Sequence, residues 1–498
     1  MTGRVGEEGM AELWHEERLL IDGQLIEAEG GATYPNLNPA TEEILGVAAD
    51  ASASDVERAI AAARRAFDLT DWSTNIELRQ RCLRQLHQAM IDNFDAIAEL
   101  TIAEVGAPRM FMGGPQLMAP LEYLTYYADM LDTFEWSYDL GVHSGMAGTA
   151  HRWVEKEPIG VVAAITPWNY PHQITFAKCA PALAAGCTVI LKAAPDTPWS
   201  ALALGRIIHD HTDFPPGVFN VITSSDKAIG EVLTTSPDVD MISFTGSTAT
   251  GRRIMEAASS TIKKVFLELG GKSAHIVLDD VADMASATAS PCFMVCTHGG
   301  QGCATSTRLL LPRSRYEEGI EATTAMLGAL PYGDPQDPGV MTGAIVNKAQ
   351  LERMEGLVNR AVADGARVVV GGGRAQQFEK GYFFQPTLLA DVTNEMEIAR
   401  TEVFGPVLVA IAFEDDDDAV RIANDSDYGL SGAVVSDDRE RALAVGRRIR
   451  TGTMSINGGS WYAVDVPFGG YKQSGVGRES GVSGFEEYLE EKSLAEPA

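Results

Sequence analysis

Basic side chains are scarce in this sequence. Its 498 residues hold 39 Lys and Arg against 69 Asp and Glu, a formal charge of −30 at pH 7. Nucleic acids and anionic membrane surfaces are held by clustered cations, so neither is expected as a partner. No apolar run approaches the ~18 residues that a membrane span needs. The first sixteen residues are polar and acidic rather than basic and then apolar, and no secretion signal is read there. Cysteine is sparse: the six at positions 82, 179, 187, 292, 296 and 303 include no C-x-x-C pair. That spacing argues against a zinc site, and the low number against a disulfide framework. A reducing, cytoplasmic setting is expected. Internal repeats, low-complexity tracts and linkers are missing too, so the units of the chain are expected to pack closely.

What is present suffices for a large core. Hydrophobic residues make up 45% and charged residues 22%, which excludes general disorder. At about 150 residues per domain the length corresponds to roughly three folding units. After a loose tail over residues 1–16, Asp22-Gly23 reads as a tight turn between two short apolar runs. Ser54-Asp55-Val56-Glu57 has the capping-box pattern, followed at helical spacing by Val56, Ile60, Ala63 and Phe67, and then by Leu83, Leu86 and Met90. From Gly160 the texture changes. Short apolar runs at 160–165, 187–191, 219–222 and 238–244 alternate with helical patterns, and a second alternating region has strand candidates at 274–278, 367–370, 408–413 and 432–435. This is the signature of parallel βαβ units in an α/β fold. The acidic run 414–418 precedes a helical pattern and reads as an N-terminus complementing the helix dipole, not as a metal loop.

Four stretches hold residues suited to chemistry. A strand pattern ending at Phe244 leads through Thr245-Gly246-Ser247 to a helix containing Gly251. Such a turn can offer backbone N–H groups to a pyrophosphate, but it lacks the G-x-G-x-x-G spacing, and a purely structural turn reads equally well. Cys303 follows Gly299-Gly300-Gln301-Gly302, where glycines leave a thiol approachable; it is either a nucleophile or an incidental thiol. Cys292 and Cys296, four apart in an apolar run, read as one buried helix face. Glu268 lies between two leucines and is either a general base of raised pKa or an acid paired with Lys272. Asn169, in Pro167-Trp168-Asn169-Tyr170-Pro171, is either an oxyanion donor or a helix cap.

In this order and spacing these stretches resemble the aldehyde dehydrogenase superfamily over about residues 20–490. Pro167–Pro171 is similar to its P-W-N-F/Y-P, Leu191-Lys192 to L-K, Phe244–Ser247 to F-T-G-S, and Glu268–Lys272 to E-L-G-G-K. Gly300–Cys303 is similar to G-Q-x-C, Glu402–Pro406 to E-x-F-G-P, and Pro467–Gly475 to P-F-G-G-x-K-x-S-G.

The resemblance implies two open, mostly parallel sheets and a small β element. The cofactor-binding domain would be discontinuous, 17–137 and 160–269; the catalytic domain would span 270–482, and the oligomerisation element 138–159 and 483–498. It implies oxidation of an aldehyde to a carboxylic acid. Cys303 would be the nucleophile, Asn169 an oxyanion donor, and Glu268 the base that activates water against a thioester. Lys178 would be a nearby proton relay or a structural ion pair. The cofactor would be NAD, held by Ile165, Trp168, Lys192, Pro195, Gly246, Ser247, Gly251, Leu269, Glu402 and Phe404, with no metal. Pro195 stands where the family commonly has a Glu that repels a 2′-phosphate, so NADP is also admitted. His298 stands where Asn is frequent and reads as a packed loop residue. The substrate wall would include Ala119, Tyr170, Ala177, Trp461 and Tyr462, a roomy apolar pocket for an aromatic or long, branched aldehyde. A homodimer or homotetramer is implied. The competing readings are acyl transfer to coenzyme A, against which Glu268 argues, and a non-catalytic protein on the same fold, against which Cys303, Glu268 and Asn169 argue.

Overall fold

The computed structural model describes residues 16–146 and 148–498. The tail expected over 1–16 therefore lies outside the described residues, apart from Glu16. That residue is buried rather than loose, with its carboxylate on Arg18 Nε at 2.8 Å.

The strands Val161–Ile165, Thr188–Lys192, Phe219–Ile222 and Met241–Thr245 are buried along their whole length. Their apolar residues run unbroken because helices cover both faces of a parallel sheet. In the eight-stranded sheet the Val161–Ile165 strand pairs with Thr188–Lys192 on one side and Met241–Thr245 on the other. The chain thus builds outward in one direction and then returns to build in the other. The crevice beyond the carboxyl ends of those two diverging strands is where open α/β sheets bind ligands. Lys264–Glu268 extends the sheet in parallel. Its edges are antiparallel: Leu19–Ile21 with Gln24–Ile26 at one side, and Gly475–Val476 beside Leu267–Glu268 at the other. The first hairpin turns at Asp22 and Gly23, both at positive φ (55° and 72°), as the expected tight turn requires.

A second sheet of seven strands runs in the order Arg367–Val370, Thr387–Ala390, Val407–Phe413, Ser306–Pro312, Ser273–Val277, Gly432–Val435, Ser455–Ile456. All its pairs are parallel except the first. The strand Gly475–Val476 falls inside the expected 270–482 range but belongs to the first sheet, so the chain crosses back near its end. Ser137–Gly145, Gly148–Pro158 and Leu489–Pro497 form a separate antiparallel sheet, with Tyr138, Leu140 and Val142 exposed.

Two local expectations are refined. The helix Ala53–Leu69 is capped by Ser52, not Ser54: Ser52 Oγ accepts from Asp55 N, and Asp55 Oδ2 accepts from Ser52 N at 2.9 Å. Asp55 also accepts from Glu29 N, so the box doubles as a tertiary anchor. In the acidic run, Asp415 caps Asp416–Asn424 by accepting from Asp418 N. Among the described residues no helix is long and apolar enough to cross a membrane.

Candidate active site

The loop Pro167–Tyr170 leaves the Val161–Ile165 strand at the crevice. Asn169 is buried there and caps no helix. Its Nδ2 donates to the Gln301 carbonyl at 2.7 Å, and its own carbonyl accepts from Gln116 Nε2 at 3.1 Å.

Cys303 is carried by a kinked segment after the helix Met284–Cys296. His298, Gly299 and Gly300 all have positive φ (48°, 63° and 66°). A side chain at Gly300 would run into the Gly405 backbone, so the kink needs glycine. Gln301 is buried and fastens the kink: Nε2 donates to the His298 and Ala344 carbonyls, and Oε1 accepts from Val346 N at 3.0 Å. The G-Q of the motif thus shapes the loop that presents the thiol. Cys303 is half-buried, the other five cysteines buried.

Glu268 ends its strand in the same chamber, fully buried, and neither carboxyl oxygen has a hydrogen-bond partner. Burial pushes it well above the usual carboxylate range and the Glu479 charge adds to this; the Cys303 thiol and the Lys178 ammonium pull the other way. The pairing with Lys272 is not formed, since Lys272 Nζ is buried without a partner. Burial likewise pushes the Cys303 thiol well above its ordinary range, and Glu268 and Glu402 push in the same direction. Two acids thus share one dry site, where burial raises both and the Glu268 charge raises the thiol further. Lys178 donates to Glu479 Oε1 at 2.6 Å, both buried, with its ammonium over the Phe266 ring at 4.6 Å.

Two adjoining hollows occupy the crevice. One of about 280 Å³ is walled by Asn169, Leu269, Cys303, Glu402 and Phe404 among others. The second, about 500 Å³, is walled by Ile165, Lys192, Pro195, Lys227 and Arg253 among others. Pro167, Trp168, Thr245, Gly246 and Ser247 line both. Ser247 caps the helix Thr248–Ala258 through Thr250 N. Trp168 meets the Phe404 ring edge-on at 5.3 Å. Glu402 accepts from Gly271 N at 2.9 Å and burial pushes it up to about 7. Lys192 is pushed down to about 8 by burial and then by Lys227.

Gly251 lines neither hollow. A side chain there would meet Leu269, so this glycine serves the packing of helix on strand. Of the substrate-wall residues none lines the hollows. Tyr170 stands edge-on to His298 at 5.2 Å and near Gly302. Trp461 stacks on Phe468 at 5.6 Å with Tyr462 across its edge. Ala119 is half-buried and Ala177 buried. His298 is buried with neither ring nitrogen bonded, and burial pushes it down to about 4, as a packed neutral ring.

The sequence reading missed Gln350 and Arg353, which line the first hollow from the helix Lys348–Ala363. Gln350 Nε2 donates to the Val403 and Phe404 carbonyls, and Arg353 to those of Glu402 and Val403. Their spacing of three on an ordinary amphipathic helix carried no signal. Also missed was the polar cluster of Tyr123, Ser480 and Gln173, with 2.7 Å between Tyr123 Oη and Ser480 Oγ. The Tyr462 hydroxyl faces it as well.

The aldehyde dehydrogenase family model matches residues 25–494. A 3-succinoylsemialdehyde-pyridine dehydrogenase of Pseudomonas sp is 41% identical over 479 residues, 95% of this chain and 97% of its own. Among solved structures, a mutant aldehyde dehydrogenase C of Pseudomonas syringae, complexed with NAD+ and octanal, is 40% identical with a TM-score of 0.91, covering 96% of each chain. A Mycobacterium tuberculosis aldehyde dehydrogenase complexed with NAD+ is 39% identical with a TM-score of 0.92, covering 97% of this chain and 98% of its own.

Proposed function

The chain belongs to the aldehyde dehydrogenase family, and from that premise we propose that it oxidises a hydrophobic aldehyde to a carboxylic acid through a Cys303 thioester that Glu268 helps to hydrolyse. The observation that carries this reading is the placement of Cys303 and Glu268 in one buried chamber at the mouth of the crevice.

The crevice suits a dinucleotide. It offers two joined hollows, a buried ammonium on Lys192 and a Thr245 hydroxyl with no protein partner. The NAD+ in two neighbours of about 40% identity supports NAD here. Lys192 would meet the adenosine ribose, the Gly246-Ser247 turn the pyrophosphate, and Glu402 the other ribose, with Phe404 beside it. When bound, the nicotinamide supplies the acceptor for hydride.

The protein supplies the rest. In its dry site Cys303 rests as a thiol, and the ionised fraction of Glu268 takes its proton as sulfur adds to the aldehyde carbon. Negative charge then develops on the former carbonyl oxygen. Asn169 has two N–H donors and spends one on the Gln301 carbonyl, so the other is held ready for that oxygen. Once the tetrahedral carbon is oxidised, Cys303 carries a thioester. Glu268, having released that proton to solvent, draws one from water; the hydroxide adds to the thioester carbon, the C–S bond breaks, and the product leaves as a carboxylate while the remaining proton restores the thiol. Lys178 is read as half of a buried ion pair that keeps the Glu479 charge from acting alone on Glu268.

Tyr170, Trp461, Tyr462 and Phe468 support a hydrophobic substrate, as does octanal in a neighbour. The exposed apolar residues of the three-stranded sheet support association of copies into a dimer or tetramer. The test is a panel of aromatic, long-chain and short aldehydes assayed with NAD, with Cys303→Ala as control. Bulky aldehydes are expected to have the higher kcat/KM. A clear preference for acetaldehyde-sized substrates would overturn the substrate class, and NADH formation by Cys303→Ala would overturn the covalent route.

A further inference from the structure

A small cavity sits where three adjacent strands of the second sheet begin: Ser273–Val277, Ser306–Pro312 and Gly432–Val435. Its volume is about 10 Å³, room for one water-sized or monatomic group. Lys272, Ser273, Arg308 and Tyr428 are among its walls, and no Asp or Glu lines it. Lys272 Nζ and Ser273 Oγ are both buried, and neither has a hydrogen-bond partner. An ammonium can give three N–H bonds and accept none; this one gives none to the protein. Arg308, also buried, donates to the carbonyls of Lys272, Ile422 and Ala423 and to Asn394 Oδ1, each at 2.9 Å. Those neutral acceptors orient its charge without cancelling it. The carboxylates whose charge reaches these two cations are held elsewhere: Glu402 by Gly271 N, and Asp425 by Arg400 and Asn394. Burial and Arg308 outweigh Glu402 and push the Lys272 ammonium down to about 7. A buried ammonium with no partner is costly, and a counterion relieves it.

We infer that this cavity binds one monatomic anion, chloride in ordinary salt, held by Lys272 Nζ and Ser273 Oγ beside the Arg308 guanidinium. A water would fill the space but bring no charge to set against the two cations. An oxyanion such as sulfate exceeds the volume. The ion would steady the start of the Ser273–Val277 strand, one residue beyond Lys272 and two beyond Gly271, whose N–H holds Glu402 in the cofactor crevice.

The experiment uses the full chain and halide salts alone. Crystals soaked in sodium bromide, with data collected at the bromine absorption edge, are expected to show an anomalous peak within hydrogen-bonding reach of Lys272 Nζ and Ser273 Oγ. In solution, thermal melts compare sodium chloride with sodium gluconate at equal ionic strength. On exchange of gluconate for chloride the natural protein should gain about 1–3 °C more than Lys272→Met, which keeps the bulk of the side chain but not its charge. Ser273→Ala gives the same comparison with a milder change, and the crystallographic arm needs no variant, so the inference stays testable if Lys272→Met does not fold. Absence of a bromide peak at the cavity overturns the inference, since water then suffices there. A peak with no chloride-specific stabilisation marks an adventitious ion only and overturns it too. So does a chloride response of equal size in the natural protein and both variants.

Discussion

Asn169 Nδ2 donates to the backbone carbonyl of Gln301, two residues ahead of Cys303, across 2.7 Å. The bond ties the loop that ends one strand of the first sheet to the kinked segment that presents the thiol. It also fixes the plane of the Asn169 amide before any substrate arrives, which is the preorganisation an oxyanion donor needs.

Replacing Asn169 with Ala is therefore expected to lower kcat by about 10²–10³-fold, the usual loss for one such donor. Steady-state kinetics with a long-chain aldehyde checks this. A fall of less than about threefold would mean that Asn169 only braces the loop.

The raised pKa of Glu268 gives a signed pH dependence. A buried carboxyl with its pKa raised keeps its proton to higher pH than an ordinary carboxylate, and the protonated form cannot draw a proton from water. Hydrolysis of the acyl-enzyme should rise with pH, by about tenfold per unit while the carboxyl is mostly protonated. Rapid-quench measurement of deacylation between pH 6 and 9 reads this directly. A flat profile would remove Glu268 from the step.

Gly300→Ala should cost stability as well as activity. Its φ of +66° is strained for alanine, and the added carbon runs into the Gly405 backbone. Strain of this kind costs about 1–3 kcal/mol before the collision is counted. Urea unfolding should show the loss, whereas an unchanged midpoint would show that the kink relaxes freely.

The Lys178–Glu479 pair is buried on both sides. Removing one partner leaves a bare charge in the interior, at a cost of about 3–5 kcal/mol. Lys178→Met alone should be strongly destabilising, and the double variant Lys178→Met with Glu479→Gln should recover part of the loss. Strictly additive losses in unfolding experiments would mean that the two side chains do not act as a pair.

The sequence was most legible where a single strand or loop carries the meaning. Unbroken apolar runs such as Val161–Ile165 announced buried parallel strands. The motifs around Asn169, Glu268 and Cys303 led to residues that the fold gathers at one crevice, although they are scattered over 135 positions of chain. Features made by long-range contact were less legible. The role of Gln350 and Arg353 exists only because their helix packs on the Glu402–Phe404 loop. Gly251 looked like part of a phosphate turn, and only the position of Leu269 reveals it as a packing residue. Of two serines that each have an acid three residues on, Ser52 with Asp55 and Ser54 with Glu57, the fold uses Ser52, and the further contact of Asp55 with Glu29 N is one that no local pattern records.

The central claim is that a thioester forms on Cys303 and that Glu268 is needed to hydrolyse it. Glu268→Gln, mixed with excess octanal and NAD and examined by intact-protein and peptide mass spectrometry, tests it most directly. The account predicts a burst of at most one NADH per chain, then near-arrest, with the acyl mass found on the peptide holding Cys303. Sustained turnover at the rate of the natural protein, or a burst with no acyl group on Cys303, would contradict it.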